Sequence, residues 1–360
     1  MQYQLNQKLA DLVPYDPIQG CYRIRLDANE SYISLPEELR RQIGDAVGAL
    51  PLNRYPDPLS RDVNAAFAAY YGLDPDCVTS GNGSDELISI ITSCFLESGD
   101  TIVTLSQDFS MYAFYSSLYE LHVEVCPKRE DLTIDVDALI AFCRKTHAKA
   151  VVFSNPCNPT SLGVNREEIR RLLESLDCLV ILDEAYMDFW DQSMLPELSR
   201  YDNCIILKTC SKALGLAGIR LGFAVAGKTI TRALRAAKSP YNTDMIAQTI
   251  GRILFNKPEY LRDCTSQITA HAKQLHRDML QLQKQYSAIL EQVYDSCTNF
   301  VFVKTAYDAQ LYQLLLDASI AVRRFRGFLR ICTGSSEENA ALLEALTRSL
   351  DTICSEEGRK

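Results

Sequence analysis

The stretch "AVVFSNPCNPTSLGVNREEIRRLLESLDCLVILDEAY", Ala150–Tyr186, reads as a strand, a loop, a helix and a second strand. Its flanking runs "AVVFS" and "CLVILD" are continuously apolar and of strand length, as in strands covered on both faces. Between them, "NREEIRRLLESL" spaces Ile169, Leu172 and Leu173 as an amphipathic helix does. Two strands joined through a helix are parallel.

Outward from this unit the pattern repeats. "TIVTL", "HVEVC", "CIILK" and "GFAVA" read as further buried strands between about residues 75 and 230. The expectation is an α/β fold: a large domain over 31–240, its mostly parallel sheet covered by helices. A chain of 360 residues exceeds what one hydrophobic core usually serves. A long helical pattern from about 240 to 295, then "NFVFVK", "AQLYQLLLDA", "IAVRRF" and "FLRICTG", predicts a smaller α+β domain over 241–360. Residues 1–30 read as an N-terminal arm or lid.

The formal net charge of -9 argues against a nucleic-acid surface. No apolar run reaches the roughly 20 residues of a membrane span, and the N-terminus lacks the apolar core of a secretion signal. Thirteen cysteines and four histidines show no metal-ligand spacing, so no metal is expected. Cysteines inside apolar runs suit buried thiols in a cytoplasmic protein.

Ligands of open α/β sheets bind outside the carboxyl ends of the strands. There the chain places polar or aromatic clusters: "GNGSDELI", "SQDFSMY", "NPCNPTS", "DEAY" and "TCSK". "GNGSDELI", with Gly83, Ser84 and Asp85, is either a phosphate cradle of exposed backbone N–H groups or a plain helix start capped by Ser84. Asp183 must meet a cation or several donors, either in a structural ion pair or beneath a cationic ring nitrogen. Asn158 either caps its turn or offers an amide to a ligand, and Phe109 is either core or a stacking plate. Lys212 stands among small and apolar residues, with no carboxylate in "KTCSKALGLAGIRLGF" to pair with it. A phosphate cradle, an amine, a carboxylate for a ring nitrogen and a flat aromatic together match the needs of pyridoxal 5'-phosphate.

"LDANE", "NRYPDP", "GNGSDELI", "SMY", "NP.NPT", "DEAY", "SKA..LAG.R.GF" and "LRICTG" resemble the histidinol-phosphate aminotransferases, fold type I pyridoxal-phosphate enzymes related to aspartate aminotransferase. The similarity runs from about Tyr15 to Gly334. It implies that Lys212 anchors the cofactor and shuttles the proton. Asp183 would keep the ring nitrogen protonated, Tyr186 and Asn158 would bond the ring hydroxyl, and Phe109 would stack. Gly83, Ser84, Asp85, Thr209, Ser211 and Arg220 would surround the phosphate, with Tyr55 reaching it from the partner of a homodimer. Arg323 and Arg330 would read the anionic end of the substrate, under Tyr15 and Asn29. The implied reaction, in histidine biosynthesis, joins an amino donor and a 2-oxo acid, histidinol phosphate and 2-oxoglutarate first. A threonine-phosphate decarboxylase or an aromatic amino-acid aminotransferase are the alternatives. Two departures from the usual motifs are Ser161, where "NPT" is normally followed by glycine, and Gln107, where proline is usual. In "RRFRGFLR", Arg324 and Arg326 are expected to face solvent.

Overall fold

A computed structural model describes residues 3–10, 12–14 and 18–357. Its strands are β1 (Ile24–Leu26), β2 (Val78–Gly81), β3 (Thr101–Leu105), β4 (His122–Cys126), β5 (Ala150–Ser154), β6 (Leu179–Asp183), β7 (Cys204–Thr209), β8 (Gly222–Ala226), β9 (Gln292–Val293), β10 (Phe300–Lys304), β11 (Ile320–Phe325) and β12 (Phe328–Cys332). The larger sheet has the order β2-β8-β7-β6-β5-β3-β4. Only β8 runs against its neighbours; the other pairings are parallel. This is the α/β fold expected.

The continuously apolar strands are buried on both faces. Val151, Phe153, Val180 and Leu182 enter one core, while Ala150, Val152 and Ile181 enter the other. The helix Arg166–Ser175 adds Ile169, Leu172 and Leu173 to the first. Its N-cap Asn165 accepts from the Glu168 amide at 3.0 Å. "HVEVC" departs from its expected burial. β4 is the sheet edge, and of its five residues only Cys126 is buried, because no strand lies beyond it.

The chain leaves β3 for the edge strand β4, then returns to the other side of β3 with β5. This reversal puts the loops after β3 and β5 side by side, the place where an open sheet forms its ligand crevice. Asp108 and Ser154 meet there: the Ser154 hydroxyl donates to Asp108 Oδ1.

A second sheet has the order β1-β11-β12-β10-β9 and its own core, including Leu26, Val301, Val322 and Ile331. β1, from the N-terminal segment read as an arm, pairs in parallel with Ile320–Val322. The helix Pro258–Gln285 runs between the two bodies. Leu261 packs in the large-sheet core, and Leu275 and Met279 in the small-sheet core.

Candidate active site

The carboxyl ends of β2, β5, β6 and β7 surround a cavity of about 190 Å³. Ser84, Asp85, Phe109, Asn158 and Asp183 line it, with Tyr186, Thr209, Ser211, Lys212 and Arg220. These ten residues, named from five separate loops, therefore share one wall. A wider cavity of about 500 Å³ continues from it, past Asn29 and Phe109, to Arg323 and Arg330.

The apolar run of β6 delivers Asp183 to the cavity floor, where it is 4% exposed. Its Oδ2 accepts from the Tyr112 hydroxyl at 2.8 Å and its Oδ1 from the Ala185 amide at 3.0 Å. No salt bridge to Asp183 occurs among the described residues. Burial pushes its carboxyl up to about 6, against the pull of these two donors. The site thus holds a buried carboxylate that lacks a counter-charge.

Two lysines follow β6 in sequence, and their surroundings separate them. Lys208 is 2% exposed and ion-paired to Asp188 at 2.9 Å. Lys212 lines the cavity with no carboxylate partner among the described residues; its Nζ donates to the Ala28 carbonyl at 3.1 Å.

The helix Gly83–Cys94 points its N-terminus at the same space. Ser84 is not the cap. Asn82 holds that position, the helix starts at Gly83, and Glu86 accepts the Asn82 amide at 2.7 Å. Gly83 adopts φ +82, and a Cβ there would lie 2.6 Å from Arg220 Nη2. A Cβ on Gly222 would lie 2.5 Å from the Ser84 amide nitrogen. The helix N-terminus is therefore pressed against β8 and Arg220 with no room to spare. The Thr209 and Ser211 hydroxyls meet at 3.1 Å, and Arg220 pairs with Asp85 at 3.6 Å.

Tyr186 Oη accepts from Asn29 Nδ2 at 2.8 Å, which leaves its own proton to donate. Asn158 Oδ1 accepts from Arg330, which turns the Asn158 amide nitrogen elsewhere. Arg330 is 8% exposed, and a second guanidinium nitrogen donates to the Asp27 carbonyl at 2.6 Å. Its Nε has no protein partner, nor has Asn29 Oδ1. The β11–β12 register sets Arg323 directly opposite Arg330. Arg324 and Arg326 are both exposed as expected, with the Arg324 guanidinium paired to Asp308 at 2.6 Å. Tyr55 lies away from both cavities and is 79% exposed. Tyr15 lies outside the described residues.

The two departures have local causes. Gln107 sits at φ +45, which a proline ring forbids. Ser161 sits at φ +64, the region where glycine is at ease, and its hydroxyl donates to the Asp295 carbonyl at 2.7 Å.

Residues 23–346 match the family model described as aminotransferase class I and II. The chain belongs to that family. Among aminotransferases, it is 34% identical over 351 residues to a histidinol-phosphate aminotransferase of Clostridium novyi, covering 96% of this chain and 97% of the relative. It is 37% identical over 337 residues to the enzyme of that name from Thermococcus kodakarensis, covering 92% and 94%. These relatives place it in the histidinol-phosphate aminotransferase branch. Its fold is similar to the crystal structure of histidinol-phosphate aminotransferase from Sinorhizobium meliloti in complex with pyridoxal-5'-phosphate, with TM-score 0.86, 23% identity and coverage of 97% and 98%. The candidate site also holds residues to which the sequence reading gave no role. Tyr112 and Ser154 line the small cavity and Asp108 the large one. "SMY" and "VVFS" end at two of them, but their partners are 71 and 46 residues away. No helix among the described residues is long and apolar enough to cross a membrane.

Proposed function

We propose that this chain is a pyridoxal-phosphate-dependent aminotransferase that moves the amino group of histidinol phosphate to 2-oxoglutarate. One observation supports this reading above the others: Lys212 and the counter-charge-free Asp183 line one cavity at a helix N-terminus. The residues fit the cofactor. A cationic ring nitrogen supplies the charge that buried Asp183 lacks. The tight backbone at Gly83 and Gly222 leaves N–H groups, not side chains, to face a phosphate. Thr209, Ser211 and Arg220 add hydroxyls and a cation.

When bound, the cofactor supplies an electron-withdrawing ring that stabilises the charge left on the substrate α-carbon. Lys212 Nζ would be the amine that anchors it, and would hold and move the α-carbon proton. Asp183 would keep a proton on the ring nitrogen. The Tyr186 hydroxyl and the Asn158 amide nitrogen remain as donors to the ring oxygen, because Asn29 and Arg330 occupy their other ends. Phe109, which lines the cavity, would restrain the ring. Arg330 and Arg323 bind the anionic end of the substrate in the wider cavity, beside the free acceptor of Asn29. The active form is a cytoplasmic homodimer in which Tyr55 completes the neighbour's phosphate site.

The test mixes purified holoenzyme with L-histidinol phosphate, other amino donors and threonine phosphate. The visible absorbance of the bound cofactor should convert to that of its amine form most efficiently with histidinol phosphate. Release of carbon dioxide from threonine phosphate would identify a lyase instead. Lys212→Ala should abolish the borohydride-trapped adduct and lose at least the roughly 10²–10⁴-fold that a positioned acid–base group gives. An adduct mapping to Lys208 would overturn the assignment.

A further inference from the structure

Tyr112 lies outside every role assigned above, yet it is fully buried against the site. It stands in the first turn of the helix Met111–Leu118. Its hydroxyl donates to Asp183 Oδ2 at 2.8 Å. Its ring meets that of Phe109 edge to face, with centroids 5.5 Å apart and planes at 82°. One side chain therefore touches both Asp183 and Phe109.

We propose that Tyr112 is a positioning residue for this aminotransferase, fixing the plane of the Asp183 carboxylate and tying it to Phe109. The proposal rests on the pyridoxal-phosphate reading. A carboxylate held through one oxygen can still rotate about its Cβ–Cγ bond. Asp183 is held through both, by the Ala185 amide on Oδ1 and by Tyr112 on Oδ2. The first donor lies two residues away in the same turn. The second comes from a different loop, across the cavity floor, and sets the direction in which the remaining lone pairs face. A phenol is suited to the task because its hydroxyl is held far from the backbone by a rigid ring. The competing account is that a buried tyrosine hydroxyl needs some acceptor, and Asp183 happens to be near.

Both accounts make Asp183 harder to ionise once the donor is gone; they differ in whether the cofactor then binds more weakly. An O–H bond to the ionised form favours that form, so its loss makes Asp183 harder to ionise. The other charged groups around it stay in place: Asp108 and Asp85 disfavour its charge, and Lys212 lines the same cavity.

Tyr112→Phe keeps the ring and removes the donor. In the apoprotein, carbon-13 NMR of labelled aspartate follows Asp183, assigned by Asp183→Asn. The proton affinity of Asp183 should rise roughly 10- to 100-fold, the worth of a hydrogen bond to a charged group. Pyridoxal phosphate should bind more weakly by a similar factor. Unchanged cofactor affinity would overturn the proposal, whether or not the titration moves. If Tyr112→Phe does not fold, 3-fluorotyrosine in place of Tyr112 preserves the packing and strengthens the donor. It should move the Asp183 titration to lower pH, and no movement overturns the proposal. Failure of the parent protein itself to take up pyridoxal phosphate would overturn the cofactor reading, whereas the apoprotein titration reports on Tyr112 alone.

Discussion

Asp183 shows how a single buried group links stability to function. Its folded carboxyl titrates at about 6 against an ordinary 3.8, and burial is the main cause. The sign follows from proton binding. Between about pH 4 and 6 the folded apoprotein keeps a proton that the unfolded chain has released. The contribution is fully present below pH 4 and is lost as pH rises through 6, a cost of roughly 3 kcal/mol at neutral pH. Asp183→Asn should therefore make the apoprotein more stable than its parent at pH 8 but not at pH 4, while abolishing transamination. Urea denaturation at the two pH values checks this, and an apo variant no more stable than its parent at pH 8 would contradict it. Arg330 makes the opposite case, a buried cation held by neutral oxygens. Burial lowers its proton affinity, and its partners are the Asn158 amide oxygen and the Asp27 carbonyl. In the proposed function, an anionic substrate would supply the charge these neutral groups cannot. Arg330→Ala should weaken kcat/KM for anionic donors by about 2–5 kcal/mol, as when one member of a buried charge pair is removed. Arg330→Lys should recover only part, because an ammonium lacks the planar fork. The pyridoxal phosphate should stay bound, and an unchanged kcat/KM would refute the role.

At the scale of elements, the fold was legible where burial is continuous. Runs such as "AVVFS" and "CLVILD" need cover on both faces, which only a central strand between helices receives. The site was legible for the same reason: strand ends in such a sheet converge, so the five polar clusters had one place to meet. What stayed hidden depends on partners distant in sequence. β1 is three residues long, and nothing in "IRL" announces parallel pairing with Ile320–Val322. Tyr112 reads as one more aromatic of an apolar helix until its hydroxyl contact to Asp183 is seen. "HVEVC" has the composition of a core strand, and only the strand order shows it to be an edge. The junction of β8 with the Gly83–Cys94 helix is of this kind too. Gly222 looks like an ordinary strand glycine, but a Cβ there would fall 2.5 Å from Ser84 N and 2.6 Å from the Gly83 carbonyl carbon. These are backbone atoms and must move. Gly222→Ala should destabilise by about 1–3 kcal/mol, as overpacking does, and should weaken cofactor binding through the displaced N–H groups. Gly48→Ala, where nothing lies within 4 Å, is the control and should leave cofactor affinity unchanged. Isothermal titration with pyridoxal phosphate and urea melts of both variants decide the matter.

At the scale of the whole molecule, Tyr55 is the residue that one chain does not explain. It is 79% exposed and stacks on Tyr241, with centroids 4.5 Å apart, and Leu52 beside it in sequence is 69% exposed. The proposed homodimer would cover these exposed apolar side chains. A two-fold dimer, the commonest closed assembly, would cover the same patch on both copies. The test uses two variants that each disable a different half of the site. Lys212→Ala removes the anchoring amine, and Tyr55→Ala removes the hydroxyl assigned to the neighbour's phosphate. In a mixed dimer, one site receives both defects and the other receives neither. Random reassortment makes half of the dimers mixed, so about a quarter of all sites should be intact. Unfolding and refolding the two variants together should restore that fraction of parental activity, whereas refolding either alone should restore none. If Tyr55 served the cavity of its own chain, every mixed dimer would carry one defect in each site, and no activity would return.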